Sequence, residues 1–484
     1  MAHLNLSRPN EKRNITKQKI MKKNFDPLKN NLHGKLVLAT DPAYNESRKV
    51  YNGMIDKYPA AIAYCGDVTD IVSCINFAKE NDILLAVRGG GHNAGGLGIA
   101  DNALVIDLSS LKEIKIDASA KTVRVQAGCL LKEMDAATHE VGMTVPAGIF
   151  GTTGVSGLTL GGGLGYMTRQ YGLTIDNLLE AEVVLANGKL VNASAKENQD
   201  LYWALRGGGG NFGVVVSFVF KLCPVHTVYG GPMLWHIDDT KEMLTWYHDF
   251  ISRAPNNVYG FFATLTVPPV APFPEQLHLK KMCGIVWCYT GDLDKAGEVF
   301  DPIRSYNTPA LDFVGPITVP ALQTLFDGLY PPGLLWYWKA DFVKDLTPEA
   351  IDLHIKYANE LPTPLSSMHM YPVNGAASKP GKTETAWNYR DANYALVIVG
   401  VDPDPSNKEK ITNWAKNYWN EHHPYSAGGA YVNFMMEEGE DRIRATYGEN
   451  YNRLAEIKAK YDPENLFSVN QNIKPLKAEA GALS

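Results

Sequence analysis

Two glycine-rich segments constrain the fold of this chain of 484 residues more than any other feature of its sequence. The first, residues 84–96, begins as a short apolar run and enters a cluster of glycines around Arg88, His92 and Asn93. The second, residues 146–166, interleaves glycine with hydroxyl-bearing and small apolar residues. Glycine backbones can approach a ligand closely and turn their N–H groups toward it. Because these segments carry little side chain for a core of their own, we expect both to pack around a planar, phosphate-bearing ligand. The alternatives are a solvated surface loop for the first segment and a linker for the second.

The overall composition is that of an ordinary soluble globular protein, with 45% hydrophobic and 20% charged residues. A formal net charge of −6 argues against a nucleic-acid partner, because such partners are usually bound by a basic surface. No run approaches the roughly 18 apolar residues of a membrane span. We therefore expect a small-molecule substrate and neither a nucleic-acid nor a membrane partner, while the oligomeric state stays open.

Cysteine usage and the N-terminal residues bear on cellular location. The six cysteines lack the paired spacing of a zinc site or a disulfide framework. Residues 1–34 form a polar leader, expected to be partly disordered, without the apolar core of a secretory signal. The sequence predicts reduced thiols, no metal site and a cytoplasmic protein.

Two regions of different pattern follow one another along the chain. Residues 60–225 alternate strand and helix patterns, with a hairpin turn at Asn187-Gly188. After Pro224 glycine becomes rarer, and strand patterns alternate with longer helical ones. This second region predicts an antiparallel sheet backed by helices, with aromatic residues on its free face. Those residues are Trp287, Tyr289, Trp336, Tyr337, Trp338 and Tyr371.

One glycine motif is rejected as a nucleotide site. Gly208, Gly210 and Gly213 satisfy a GxGxxG pattern. A helical pattern precedes the motif and a strand pattern follows it, which is the reverse of the order in a dinucleotide-binding fold. We therefore do not expect NAD at this position.

Four motif blocks resemble, in the same order, those of the berberine-bridge-enzyme-like branch of the vanillyl-alcohol oxidase superfamily. They are Arg-Gly-Gly-Gly-His at 88–92, the glycines and Tyr-Gly-Leu-Thr-Ile-Asp-Asn within 161–177, Asp-Leu-Tyr-Trp to Gly-Val-Val at 200–215, and the tail at 431–473. The resemblance implies an α+β fold with a two-part FAD-binding domain of the PCMH type. Its expected divisions are the FAD-binding domain at 35–225, an inserted substrate domain of antiparallel sheet plus helices at 226–428, and a C-terminal segment, 429–484, that returns to the FAD-binding domain.

The resemblance implies FAD as cofactor, bonded through its 8α carbon to His92. Relatives with a second bond to the flavin carry a cysteine where this chain has Phe150, so we expect a single link. The other residues expected to bind the cofactor lie in the same blocks. They are Arg88, Gly89, Gly90, Gly91, Asn93, Pro146, Gly148, Thr152, Thr153, Gly154, Ser156, Gly157, Gly162, Gly163, Gly165, Tyr166, Asn177, Gly213, Val215, Tyr431, Asn433, Asn470 and Asn472.

The resemblance also implies an FAD-dependent oxidase. Such an enzyme passes a hydride from a C–H bond of an alcohol, sugar or secondary metabolite to flavin N5 and reduces O₂ to H₂O₂. Thr153, a small residue at the position that controls O₂ access, favours an oxidase. The alternatives are a dehydrogenase that uses another electron acceptor and a flavin-binding protein without turnover.

The catalytic base needs a separate argument. Many relatives use a tyrosine where this chain has Phe434, which cannot titrate. His369 and Tyr371 alternate on one face of a strand pattern and are our candidates for proton transfer. Tyr431 is a further candidate at the flavin edge. The alternative is that His369 is only a hydrogen-bonded residue inside the substrate domain.

Overall fold

The computed structural model describes residues 23–477 and has the α+β architecture that the sequence predicts. Three β-sheets make up its framework. Across residues 23–477, no helix has the length and apolar character of a membrane span. All six cysteines are buried and unpaired.

A sheet of four strands carries the first glycine-rich segment at one edge. Its strands are β1 (Lys35–Leu38), β2 (Ala61–Tyr64), β3 (Leu85–Arg88) and β4 (Leu104–Asp107). They lie in the order β1-β2-β4-β3, with β2, β4 and β3 parallel and β1 antiparallel to β2. The helices around it are α1 (Asp26–Asn31), α2 (Tyr44–Ser47) and α3 (Val68–Glu80). Because β3 is an edge strand, the glycines that follow it are free to form a loop beside the sheet.

A second, antiparallel sheet carries the second glycine-rich segment. Its strands are β5 (Ile114–Asp117), β6 (Thr122–Gln126), β7 (Leu178–Val184), β8 (Leu190–Ser194) and β9 (Val214–Lys221), in the order β5-β6-β9-β7-β8. The associated helices are α4 (Leu131–His139), α5 (Val155–Leu160), α6 (Thr168–Tyr171) and α7 (Gln199–Leu205). The hairpin at Asn187-Gly188 is confirmed. Helix α5 was not predicted, because Gly157 within it lowers the helical propensity of the segment.

The third sheet is antiparallel and has eight strands. They are β10 (Thr227–His236), β11 (Val258–Thr266), β12 (Lys281–Tyr289), β13 (Leu311–Asp312), β14 (Gly315–Thr318), β15 (Leu335–Val343), β16 (Ser367–Pro372) and β17 (Tyr394–Asp402). The path is β13-β10-β12-β11-β16-β17-β15, and β14 pairs with β10. Its helices are α8 (Thr240–Arg253), α9 (Ala296–Tyr306), α10 (Val319–Gln323), α11 (Pro348–Asn359) and α12 (Lys408–His422).

The two faces of this third sheet belong to different cores. One face packs with α8, α9, α11 and α12 in a core of its own. The opposite face, which includes Phe261, Tyr371 and Val397, joins the core of the first two sheets. Alternation along each strand therefore decides which side chains can reach the glycine-rich segments.

The tail packs back onto the turn at Gly208–Gly213. It contains α13 (Glu440–Tyr447) and α14 (Tyr451–Tyr461). The buried ammonium of Lys458 in α14 donates to Asn211 O at 2.7 Å and pairs with Asp462 Oδ2 at 2.7 Å. Desolvation lowers the pKa of Lys458, while Asp462 favours its charged form. This buried ion pair fixes the tail to the turn.

Residues 1–22 and 478–484 lie outside the described residues, so most of the expected polar leader does as well. The described part of that leader, residues 23–34, is ordered. Residues 23–34 include α1, where Phe25 and Leu28 are buried and Phe25 packs on Phe77 with ring centroids 5.3 Å apart. These apolar side chains anchor residues 23–34 to α3.

Candidate active site

A cavity of about 290 Å³ lies where the two glycine-rich segments, the turn at Gly208–Gly213, the tail and one face of the third sheet meet. Most of the predicted site residues line this cavity. They are Arg88, Gly89, Gly90, Gly91, His92, Asn93, Gly148, Thr153, Gly154, Ser156, Gly157, Gly213, Val215, His369, Tyr371, Tyr431, Asn433 and Asn470. The topology therefore brings together residues that are as much as 382 positions apart in the chain, from Arg88 to Asn470.

Eight residues expected to bind the cofactor do not line the cavity. They are Pro146, Thr152, Gly162, Gly163, Gly165, Tyr166, Asn177 and Asn472. Several of them shape the second loop from behind. Thr174 Oγ1 donates to Pro146 O at 2.8 Å, and a Cβ at Gly163 would lie 2.1 Å from that Oγ1. Asn177 Nδ2 donates to Tyr171 O at 2.9 Å. Pro146, Gly163 and Asn177 thus support the second glycine-rich segment, and cofactor binding by the eight residues stays a prediction.

Thr152 and Tyr166 both lie outside the cavity wall, but they contact different parts of the protein. Thr152 contacts a wall residue, because its Oγ1 is 3.3 Å from His92 Nε2. Tyr166 instead points to the third sheet, where its ring lies edge-on to Tyr259 at 6.5 Å between centroids. Only Thr152 remains within one contact of the predicted attachment residue.

The two glycine-rich loops touch through their backbones. A Cβ built on Gly90 would lie 2.5 Å from Gly154 N, and one built on Gly154 would lie 2.4 Å from Gly90 N. No side chain fits at either position without moving the other loop. Within the described part of the chain, the N–H groups of residues 89–93 donate no hydrogen bond. Residues 89–93 all line the cavity, and their five N–H groups have no hydrogen-bond acceptor among the described residues.

Arg88 enters the cavity wall already paired. Its Nε donates to Asp107 Oδ2 at 2.5 Å, and both side chains are buried. No other residue that lines the cavity is a lysine, arginine, aspartate or glutamate. Because Asp107 compensates its charge, the cavity carries little net charge, and the backbone donors of the loop remain the clearest feature that suits an anion.

The imidazole of His92 is held in an environment that keeps it neutral. Burial lowers its pKa to about 4. The part of the side chain that stays accessible faces the cavity. Phe150 lies nearby, with ring centroids 6.2 Å apart. A neutral imidazole at pH 7 retains the lone pair that a nucleophile needs.

His369 and Tyr371 belong to β16 and line the cavity. His369 Nδ1 is 2.8 Å from the Tyr371 hydroxyl. Burial lowers the pKa of His369 to about 4 and raises that of Tyr371 well above its usual value. Both groups are therefore neutral near pH 7. The predicted placement of these two residues on one strand face, together with Ser367, agrees with the structure.

The aromatic residues expected on the free face of the sheet divide between its two faces. Trp336, Trp338 and Tyr371 line the cavity. Trp287, Tyr289 and Tyr337 do not, and the expectation is corrected for these three. Trp287 packs edge-on to Phe250 of α8 at 5.8 Å, and Tyr289 edge-on to Phe300 of α9 at 6.3 Å. Tyr337 belongs to the same helix-side core because it alternates with Trp336 and Trp338 along β15.

Tyr431 and Asn433 fasten the tail to the second glycine-rich loop. The Tyr431 hydroxyl accepts hydrogen bonds from Gly163 N–H at 2.9 Å and from Asn433 Nδ2 at 2.8 Å. Asn433 Nδ2 also donates to Leu158 O at 3.0 Å. Burial raises the pKa of Tyr431 to about 12. With its oxygen occupied by two donors, Tyr431 is better suited to positioning the loop than to accepting a proton.

Sequence reasoning missed several residues around the cavity. Tyr330, Asn211, Tyr447 and Gln471 line it, and Tyr51 stacks on His92. Asn211 lies inside a motif block that was recognised, so its position next to the glycines was an available signal. Tyr447 and Gln471 likewise lie inside the recognised tail block, whereas Tyr51 and Tyr330 have no local pattern that marks them, because long-range packing brings them to the site.

Comparison with known proteins agrees with this geometry. The chain matches the family model described as an FAD binding domain over residues 59–194, and the model described as berberine and berberine like over residues 430–474. An FAD-linked oxidoreductase of Dictyostelium discoideum is 31% identical over 433 residues, which cover 89% of this chain and 92% of that protein. The FAD-linked oxidoreductase YgaK of Bacillus subtilis is 31% identical over 458 residues, covering 93% of this chain and 98% of that protein.

A solved structure has the same fold. The crystal structure of 6-hydroxy-D-nicotine oxidase from Arthrobacter nicotinovorans matches with a TM-score of 0.84 and 23% identity, covering 94% of this chain and 100% of that one. At that coverage the two proteins share the fold.

Proposed function

This chain belongs to the berberine-bridge-like family of FAD-linked oxidoreductases, and on that premise we propose that it is an oxidase which carries FAD covalently on His92. It is an FAD-dependent oxidoreductase. The observation that carries the proposal is the cavity itself, in which a neutral, accessible His92 shares one space with the His369 and Tyr371 pair.

The residues around the cavity fit FAD. The cofactor has phosphates, which suit the five unused N–H donors of residues 89–93. A cofactor of this size also needs places where the protein backbone can approach it without an intervening side chain. At Gly157 and Gly210, which line the cavity, no atom lies within 4 Å of a Cβ built on the backbone. We assign the phosphates to the first loop and the flavin ring to the space beside His92, since that residue is the proposed attachment point.

His92 has the properties of an attachment residue. Its low pKa keeps it neutral, and it opens to the cavity. The link would replace the imidazole N–H bond and one C–H bond of the 8α methyl group with one N–C bond, and O₂ would be the two-electron oxidant that takes up both hydrogens as H₂O₂. Phe150, which lines the cavity, has no thiol for a second bond. We therefore propose one link.

When bound, FAD supplies the electron chemistry, accepting a hydride from the substrate and passing two electrons to O₂. We assign the Nδ1 proton of His369 to its hydrogen bond with the Tyr371 oxygen. That leaves the Nε2 lone pair of a neutral imidazole to accept the substrate proton. Tyr371, held neutral by burial, orients the ring.

The substrate side of the cavity favours an uncharged, hydrophobic substrate. Tyr330, Trp336, Trp338 and Phe434 line it, and Arg88, the one permanently charged lining residue, is neutralised by Asp107. Aromatic walls of this kind bind apolar and planar groups, and a few polar groups orient them. We propose a hydrophobic metabolite oxidised at an alcohol carbon, for which a secondary alcohol is the simplest case.

Three further points belong to the proposal. Thr153 lines the cavity, and its small side chain is consistent with access of O₂, which favours an oxidase over a dehydrogenase.

We propose residues 35–225 and 429–484 as the two parts of the FAD-binding domain and 226–428 as the substrate domain. The six buried, unpaired thiols support a reducing, cytoplasmic location.

Acid denaturation followed by filtration tests the proposal. We expect yellow colour and one FAD mass to stay with the wild-type protein, whereas His92→Ala should lose the link completely and retain at most FAD that acid releases. Anaerobic mixing with a panel of secondary alcohols should bleach the flavin, and O₂ should restore the colour with release of H₂O₂. Bleaching that only an artificial acceptor reverses would identify a dehydrogenase, and no bleaching with any substrate would favour a binding protein.

A further inference from the structure

Residues 51–53, here called the strap, cross between the first glycine-rich loop and the third sheet. Tyr51 N–H donates to Gly91 O at 3.0 Å, and Gly333 N–H donates to Tyr51 O at 2.9 Å. The Tyr51 hydroxyl donates to Tyr330 O at 2.6 Å. Three hydrogen bonds therefore hold this one residue between two distant parts of the chain.

Asn52 strengthens the same connection. Its Nδ2 donates to Ala94 O at 2.7 Å and to Trp336 O at 3.0 Å, and its Oδ1 accepts from Trp336 N–H at 3.0 Å. The side chain is only 1% exposed. Next to it, a Cβ at Gly53 would lie 2.2 Å from Gly333 O, so the strap lies flush against the segment that precedes β15.

The Tyr51 ring lies on the imidazole of His92. Their centroids are 3.8 Å apart and their planes differ by 20°. Thr152 Oγ1, at 3.3 Å from Nε2, contacts the edge of the same imidazole. Stacking fixes the plane of the ring, and the edge contact fixes its rotation within that plane. The imidazole is thus oriented by residues from two separate segments.

We propose that Tyr51 is a positioning residue for attachment of the cofactor to His92. The inference rests on the proposed function, because it concerns the formation of the link. An imidazole attacks along its lone pair, which lies in the plane of the ring, so a ring free to turn spends little time in the attacking orientation. Misplacement of a reacting group by about 1 Å can cost on the order of 100-fold in rate. The stacked phenol prevents this loss, and the strap holds the phenol in place.

The experiment measures how FAD divides between linked and released forms after acid precipitation. Tyr51→Leu removes the ring, and Tyr51→Phe removes only the hydroxyl. Tyr44→Leu is the matched control, because Tyr44 is also buried, donates to Pro59 O at 2.7 Å and does not line the cavity. The purified proteins are incubated with added FAD, and total and acid-stable flavin are recorded over time.

We expect linkage to be slowed about tenfold or more in Tyr51→Leu at unchanged total FAD, and to stay within about twofold of the wild type in Tyr51→Phe and Tyr44→Leu. A purely structural role would lower total FAD and linked FAD together. Linkage in Tyr51→Leu at the wild-type rate would overturn the inference and leave the proposed function standing. Absence of linked FAD in the wild type would overturn both. If Tyr51→Leu does not fold, Tyr51→Met provides the same comparison with a more adaptable side chain.

Discussion

The two walls of the cavity are built in different ways. One wall is backbone: the loops around Gly90 and Gly154 approach until no Cβ fits between them. The other wall consists of side chains on strands and on the tail, among them His369, Trp338 and Phe434. A backbone wall needs glycine at fixed positions and does not tolerate substitution of these glycines by a residue with a Cβ atom. A side-chain wall keeps its fold when one residue changes, so it is where differences in chemistry and specificity can arise.

The largest effect should come from Gly90→Ala. The added Cβ would lie 2.5 Å from Gly154 N and 2.6 Å from Gly154 Cα, so the two loops must separate. We expect a loss of about 3 kcal/mol in the free energy of unfolding and of most bound flavin. Urea unfolding and the flavin-to-protein absorbance ratio measure the two effects.

Gly328→Ala is the control for this substitution. No atom lies within 4 Å of a Cβ at Gly328, and the residue does not line the cavity. Its free energy of unfolding should stay within about 0.5 kcal/mol of the wild type, with full flavin content. If Gly90→Ala had the same stability and flavin content as this control, the result would contradict the close approach of the Gly90 and Gly154 backbones.

The second effect concerns the chemistry of the side-chain wall. His369→Gln should leave flavin content and linkage unchanged, because the hydrogen bond of His369 is to Tyr371 on the same strand and not to the glycine loops. Loss of a general base should slow flavin reduction about 10²- to 10⁴-fold. Anaerobic stopped-flow bleaching with the best substrate of the alcohol panel measures it. An unchanged rate would remove His369 from the mechanism.

The pH dependence of the wild-type enzyme tests the same assignment. Burial lowers the pKa of His369 to about 4, so the base is unprotonated above that pH and becomes protonated below it. Flavin reduction should thus be flat from about pH 8 to 5 and fall toward pH 4. An inflection near 6.5 would mean that the imidazole is solvated in the working enzyme.

The pH dependence of the free energy of unfolding is the control for that rate profile, because the protein also loses stability in acid. His422 is fully buried on the helix side, and desolvation lowers its pKa to about 4 as well. The unfolded chain binds its proton below about pH 6.5 while the folded chain does not, so the free energy of unfolding should decrease between about pH 6.5 and 4. Recovery of the full rate on return to pH 7 separates titration of His369 from unfolding.

The contrast between the walls also explains what the sequence could predict. Glycines at 88–96 and 146–166 serve local backbone geometry, so the loops, the resemblance and the strands that carry them follow from short motifs. Alternation places His369 and Tyr371 on one face of β16. Those signals need no knowledge of the tertiary fold.

The rest depends on contacts far apart in sequence. Alternation separates Tyr337 from Trp336 and Trp338, but the choice of the face that meets the cavity depends on how the sheet packs between helices and glycine loops. Tyr51 reaches His92 only because the strap pairs with residues 91 and 333. Tyr431 carries a family motif, yet its hydroxyl is engaged by Gly163 N–H, which the motif does not show.

The smallest effect should come from Phe434→Tyr, which restores the phenol that many relatives use. Phe434 lies 5.5 Å from Tyr371 and 4.8 Å from Tyr431 between ring centroids, in an aromatic part of the wall. If His369 and Tyr371 already transfer the proton, the new hydroxyl should change the rate of flavin reduction less than about threefold, while its burial costs about 1 kcal/mol of stability. The double variant with His369→Gln sharpens the comparison. A tenfold or larger recovery of rate in the double variant would show that a phenol at 434 can replace the imidazole, so that the two positions are alternative sites for one base. A tenfold rise in the single variant would instead show that the wild-type wall lacks an effective base, and the assignment to His369 would be lost.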